Sequence, residues 1–148
     1  MKSAIRATAI AAAIALTGCA TEPTPRTSST SAPSERVTAY QTAAPGIDTG
    51  TLIVTRDSGF IGGGCFYAVS INGKLAARLD TGESSRFIVP AGEVLLRAGR
   101  DPQGKGLCSI GKSEWTQRET TLKPGETKLF RLSLDMNGKA DIQRADDE

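Results

Sequence analysis

Cys65-Phe66-Tyr67-Ala68-Val69-Ser70-Ile71 runs straight into Asn72-Gly73, and Lys74-Leu75-Ala76-Ala77-Arg78-Leu79 runs back out. The first run is rich in β-branched and aromatic residues, which suit a pleated, half-buried surface. Asn-Gly between two such runs is the strongest short-range signal for a two-residue hairpin, because a type I′ turn needs a positive φ at both central residues. The return strand then sets Leu75, Ala77 and Leu79 on one face and Lys74, Ala76 and Arg78 on the other.

The same pattern continues outward in both directions. Upstream, Thr51-Leu52-Ile53-Val54-Thr55 reads as a first strand, separated from the hairpin by Gly62-Gly63-Gly64. Downstream, Arg86 to Val89 alternates with Phe87 and Val89 inward, and Pro90-Ala91-Gly92-Glu93 turns into Val94 to Ala98. Glu114 to Leu122 is a Thr-rich strand carrying the only tryptophan, Trp115. Lys123-Pro124-Gly125-Glu126 turns again, and Lys128 to Asp135 places Phe130, Leu132 and Leu134 on one face. Asn137-Gly138 makes a second hairpin returning through Ala140 and Ile142. No segment past residue 48 holds a 3.6-residue period. Short strands with Gly, Pro and Asn turns at short intervals predict an all-β fold, an antiparallel β-sandwich of about 6–8 strands over residues 49–148.

From Ser70-Ile71-Asn72-Gly73-Lys74 through Phe87-Ile88-Val89-Pro90-Ala91-Gly92, the sequence resembles small prealbumin-like or PEGA-like β domains. There an Asn-Gly-Lys hairpin is followed by a Pro-x-Gly turn and a further strand. Uncharacterised bacterial lipoproteins built on the same core look similar, and the likeness spans roughly residues 50–135. It implies a β-sandwich placed outside the cytoplasm and brings no catalytic residues with it. Cys65 and Cys108 are not part of the general pattern.

The beginning of the chain has a different character. Lys2 and Arg6 precede Ala7 to Leu16, a run that is apolar except for Thr8. That is the length of a secretory apolar region, well short of the roughly 20 residues of a spanning helix. Leu16-Thr17-Gly18-Cys19 resembles the lipobox of bacterial lipoproteins, in which the Cys sulfur receives a diacylglycerol and the signal is cut off in front of it. By this resemblance residues 1–18 are a signal peptide and Cys19 is the lipidated residue. Ala20, in place of the Asp that retains enteric-type lipoproteins in the inner membrane, implies sorting to the outer membrane, facing the periplasm or exposed at the surface. Two or more acyl chains anchor stably where one holds marginally. Residues 19–48 are dominated by Thr, Ser, Pro and Ala, so they are expected to be a disordered tether. As a flexible coil they would span roughly 30 Å, with an extended limit of about 95 Å.

With Cys19 assigned to lipid, the three cysteines leave Cys65 and Cys108 as an even pair in a compartment where disulfides persist. A loop of that length is worth roughly 4 kcal/mol in the chain-entropy picture. The rival reading, a metal or catalytic thiol, lacks companions, since the chain contains no His. That absence excludes Ser-His-Asp and Cys-His catalysis and His-ligated zinc, and no cofactor is implied. The 18 basic and 16 acidic residues become equal once Lys2 and Arg6 leave with the signal. A neutral mature chain gives no support for nucleic-acid binding.

Four stretches invite a functional reading. Gly62-Gly63-Gly64 has the makings of a phosphate nest but is followed by a strand rather than a helix, so a turn bringing Cys65 to Cys108 is the expectation. Loop 99–106 (GRDPQGKG) carries Arg100, Asp101 and Lys105 as a candidate binding loop for an anion or glycan; a solvated connector is the plainer reading. Asp135-x-Asn137-Gly138-x-x-Asp141 lacks the remaining ligands of a calcium loop and reads as a hairpin. Glu114 and Glu119 have opposite parity on a strand, so they do not converge as a glycosidase pair beside Trp115. The functional expectation is a non-enzymatic envelope lipoprotein that binds or assembles with another cell-envelope protein, with strand addition at an edge rich in Thr, Arg and Glu as one mode. The alternatives are an inhibitor or immunity lipoprotein acting through loop 99–106 against a wall-degrading enzyme or toxin, and a carboxylate-based glycan hydrolase.

Overall fold

The computed structural model describes residues 21–146, so the signal-peptide assignment and Cys19 lie outside the described residues. Nine strands occur among the described residues: β1 (Thr30–Ser31), β2 (Thr49–Arg56), β3 (Tyr67–Ile71), β4 (Lys74–Leu79), β5 (Glu83–Pro90), β6 (Gly92–Arg100), β7 (Trp115–Leu122), β8 (Thr127–Leu134) and β9 (Ala140–Arg144). They form two sheets, one in the order β1-β5-β2-β8-β9 and one in the order β4-β3-β6-β7. The expected β-sandwich is therefore the fold.

Period-2 alternation builds the core. Leu52 and Val54 of β2, Phe87 and Val89 of β5, and Phe130 and Leu132 of β8 face inward from the first sheet. Tyr67, Val69 and Ile71 of β3, with Leu96 and Ala98 of β6, meet them from the second. All of these side chains are buried.

The turn chemistry sorts the connections. Asn72 and Gly73 both have positive φ, 48° and 79°, so the β3–β4 hairpin has the dihedral signs of the predicted type I′ turn. The second Asn-Gly pair also stays within one sheet, joining β8 to β9, while the Asp135 carboxylate accepts the backbone N–H groups of Asn137 and Lys139. The two Pro-containing turns instead carry the chain across the sandwich, from β5 to β6 and from β7 to β8. One residue of β4 departs from strict alternation. Val69 pairs with Ala77 and Ser70 with Leu75, leaving Ala76 as a bulge whose carbonyl is free for other donors.

Two expectations require correction. The sandwich is not purely antiparallel: β2 pairs with β8 in parallel, from Thr51–Thr127 to Arg56–Leu132, and β1 pairs in parallel with β5. The 123–126 turn explains the first case. It lies beside the start of β2, where Thr51 N–H donates to the Glu126 carbonyl and Gly125 N–H to that of Thr49, so β8 leaves in the same direction as β2.

The second correction concerns the tether. Residues 21–40 are docked on the sandwich and 41–48 run exposed into β2, so the folded unit starts before residue 49. Thr21 is buried, and its hydroxyl donates to the Asp57 carboxylate at 3.0 Å while accepting the Leu134 N–H at 3.1 Å. β1 extends the edge of β5. A 3₁₀ turn at Ser34–Arg36 then leads to Val37, which bridges Ala77, and to Thr38, whose N–H donates to the bulged Ala76 carbonyl. Tyr40 ties both sheets together, its carbonyl accepting Ile88 N–H and its hydroxyl donating to the Ile71 carbonyl. Composition misleads here because the attachment is made by backbone groups, single ion pairs and a few apolar contacts. Ala32, Val37 and Tyr40 are the partly buried side chains of this strap that pack on the core.

Candidate functional site

The chemistry-bearing residues gather at one end of the sandwich. β2, β6 and β8 finish there, and β3 and β7 begin there, so loops 57–66, 101–114 and 135–139 lie side by side. Cys65 and Cys108 form the expected disulfide, with Cα atoms 5.4 Å apart, and it joins the first two loops. The third loop is held by Tyr67, whose hydroxyl donates to the Gly138 carbonyl at 2.7 Å. Burial raises the Tyr67 pKa, with Arg100 and Arg56 pulling the other way.

Arg56 is the centre of this end. It continues the inward series of Leu52 and Val54, and 1% of its surface is exposed. Its guanidinium donates to the carbonyls of Cys65 (2.7 Å), Leu79 (2.9 Å) and Gly62 (2.9 Å), and it lies over the Tyr67 ring. Burial lowers its pKa, opposed by the nearby Asp80 carboxylate and Tyr67. The Gly62–Gly64 run thus presents a carbonyl to a cation. It is the turn into Cys65, as expected, and not a nest of N–H groups for phosphate. Neighbouring Asp57 is also buried and pairs with Arg131, whose Nε donates to Oδ1 at 3.1 Å. The burial of Arg56 on its carbonyls and of Asp57 against Arg131 was missed from sequence. The one available signal was that Arg56 shares the parity of Leu52 and Val54.

The candidate loop residues Arg100, Asp101 and Lys105 are not brought together. Arg100 is the last residue of β6, half-buried over the Tyr67 ring. Asp101 is buried and bonded to Arg78 at 2.6 Å, while it also accepts the Gln103 N–H. Lys105 is exposed beside a 3₁₀ turn at Gly106–Ser109.

Trp115 lies outside the core on the second sheet's outer face. A side chain at Gly99 would collide with its ring at 2.7 Å, and Arg97 stacks on it with 5.2 Å to the centroid. Phe66 is likewise flanked by Arg36 and Arg78. Asp141, of the supposed calcium loop, pairs with Arg118 at 3.0 Å. Among the described residues, no three His, Cys, Asp or Glu side chains are grouped as metal ligands. No described helix is long and apolar enough to cross a membrane.

The sheet edges form the other candidate surface. Strap residues 30–38 cover β5 and β4. β7 pairs with β6 on one side, and among the described residues no strand pairs with its other edge. The same holds for β9, the terminal strand of the first sheet, which lies beside β7, with Thr116 donating to the Ala140 carbonyl and Arg118 pairing with Asp141. Eight residues long, β7 presents exposed Gln117, Arg118 and Glu119. A smaller cavity of about 180 Å³ lies between Pro23–Arg26 and the first sheet's outer face, floored by Ile53, Thr55 and Leu129. Compared with models of known protein families and with curated proteins, the chain matches none.

Proposed function

We propose that the chain is a bacterial envelope lipoprotein, acylated at Cys19 and held at the outer membrane, whose sandwich binds another envelope protein without catalysing a reaction of its own. The observation that carries the binding role is the unpaired edge of β7. An open edge of this length is a template for strand addition, in which main-chain hydrogen bonds supply affinity and alternate side chains supply specificity. The strap covers the β4 and β5 edges on the opposite side of the sandwich, so a partner strand is offered the side where the β7 and β9 edges lie together. The Cys65–Cys108 disulfide fits an oxidising compartment. The inhibitor reading through loop 99–106 is weaker, because Arg100 and Asp101 are engaged internally and Lys105 is left to act alone.

Photo-crosslinking in intact cells tests the proposal. A photoreactive residue at Gln117 or Glu119 is expected to trap one discrete envelope protein, and one at Lys74 on the β4 edge is expected to trap none. Identical products from both edges, or none from β7, would count against it. Cys19→Ala is expected to release the chain from the membrane fraction; retention there would refute the anchor.

A further inference from the structure

We infer that the loop end of the sandwich docks directly on the bilayer, with its apolar tips seated among the lipid headgroups. The inference rests on the acylation of Cys19 proposed above and adds the orientation of the folded domain. Among the described residues, the exposed large hydrophobic side chains are Ile47, Phe60, Leu107, Ile110 and Met136. Four of the five stand on the three loops at one end. Phe60 is 100% exposed, Leu107 81%, Met136 66% and Ile110 62%. Only Ile47, next to the start of β2, belongs to the opposite end.

These tips are held as one rigid set. The disulfide ties the loop of Phe60 to that of Leu107 and Ile110, and the Tyr67–Gly138 hydrogen bond ties in the loop of Met136. The chain also enters here. Thr21 is bonded to Asp57 and Leu134, and Glu22 bridges Ser58 through paired backbone hydrogen bonds. Cys19 precedes Thr21 by two residues, which reach at most about 7 Å. Acyl chains on Cys19 therefore emerge beside the loop tips and cannot hold the domain far above the membrane.

The form of the surface favours lipid as the occupant. Phe60 and Met136 protrude from two loops and Leu107 and Ile110 from a third, spaced apart rather than merged into one flat patch, which suits a fluid interface that yields around each side chain. Lys105, Lys112 and Lys139 are balanced by Glu22, Glu114 and Asp135 at the same end. Docking is therefore driven by apolar insertion and depends little on salt or on anionic lipid. This orientation stands the strands end-on to the bilayer and leaves the β7 edge accessible from the side.

The test uses the full chain purified from bacterial membranes and reconstituted in phosphatidylethanolamine–phosphatidylglycerol vesicles with brominated acyl chains. Phe60→Trp and Ile47→Trp are compared against the parent, whose Trp115 is a constant background. The tryptophan introduced at position 60 is expected to shift to the blue and to be quenched most by bromines near the headgroup, at a depth of roughly 5–10 Å. That at position 47 should stay unquenched and open to aqueous acrylamide. If the acylated protein floats with the vesicles while position 60 remains open to acrylamide, the docking inference fails and the anchor stands. Equal quenching at both positions overturns it as well. Shielding of position 60 in native envelopes but not in pure lipid would assign this end to a protein partner and also overturn it. If the chain carries no acyl group and does not float, the lipoprotein reading itself falls, and this inference with it.

Discussion

Arg56 occupies the place in β2 where Leu52 and Val54 lead one to expect a third apolar side chain. The guanidinium is accommodated because three carbonyls converge on it and the Tyr67 ring covers it. Removing one member of such an arrangement leaves buried polar groups unsatisfied, which costs far more than the intact contact gains. Arg56→Ala is predicted to lose about 3–5 kcal/mol of stability. Arg56→Lys should recover only part of that loss, since an ammonium cannot reproduce the planar fork. Urea unfolding reads both, and an unchanged midpoint in Arg56→Ala would refute the role assigned here. The sequence revealed the parity of position 56 but not its burial. Its partners are main-chain carbonyls of residues 62, 65 and 79, and a carbonyl has no letter in a sequence.

At the scale of elements, what was legible was local. The Asn72-Gly73 turn, the inward faces of β5 and β8 and the presence of the two Pro turns all depend on neighbours within a few residues, whereas that these two turns cross between the sheets did not show in the sequence. The strap was not legible, because its bonds reach residues some thirty or more positions away, as in the Tyr40 bond to Ile71 and the Arg36 pairing with Glu83. That pair joins at 2.6 Å and 2.5 Å and gives a handle on the strap. Burial alone would raise the Glu83 pKa, but the hydrogen bonds from Arg36 and the Asp80 N–H, with the Arg36 charge, hold it below the usual carboxylate value. A carboxylate with a depressed folded-state pKa contributes stability that is fully present above its unfolded pKa of about 4.3 and is lost as pH falls through the folded value. The strap is therefore predicted to loosen on acidification below that range, before the disulfide-closed sandwich opens. Glu83→Gln should loosen it already at neutral pH. Limited proteolysis near Arg36 measures both effects, and equal resistance of the variant and the parent would contradict them.

At the scale of the whole molecule, the disulfide encloses β3, β4, β5 and β6, spanning 43 positions of sequence. Cys65→Ser with Cys108→Ser is predicted to cost about 2–4 kcal/mol, read as a lowered thermal midpoint with the fold retained. A midpoint that does not move would mean that the loop end is already closed without the bond. The cysteine count anticipated this pair, whereas the parallel partnership of β2 and β8 left no mark on the sequence. That partnership governs how the chain acquires its shape. β2 lies in the middle of its sheet, yet its second neighbour starts only at Thr127. Closing such a distance costs entropy before any contact rewards it, which places folding in the slow, roughly millisecond-to-second class of non-local β topologies. A nascent chain that has not yet delivered residues 127–134 cannot complete the sheet. It stays extensible and threadable until residues 127–134 have been delivered.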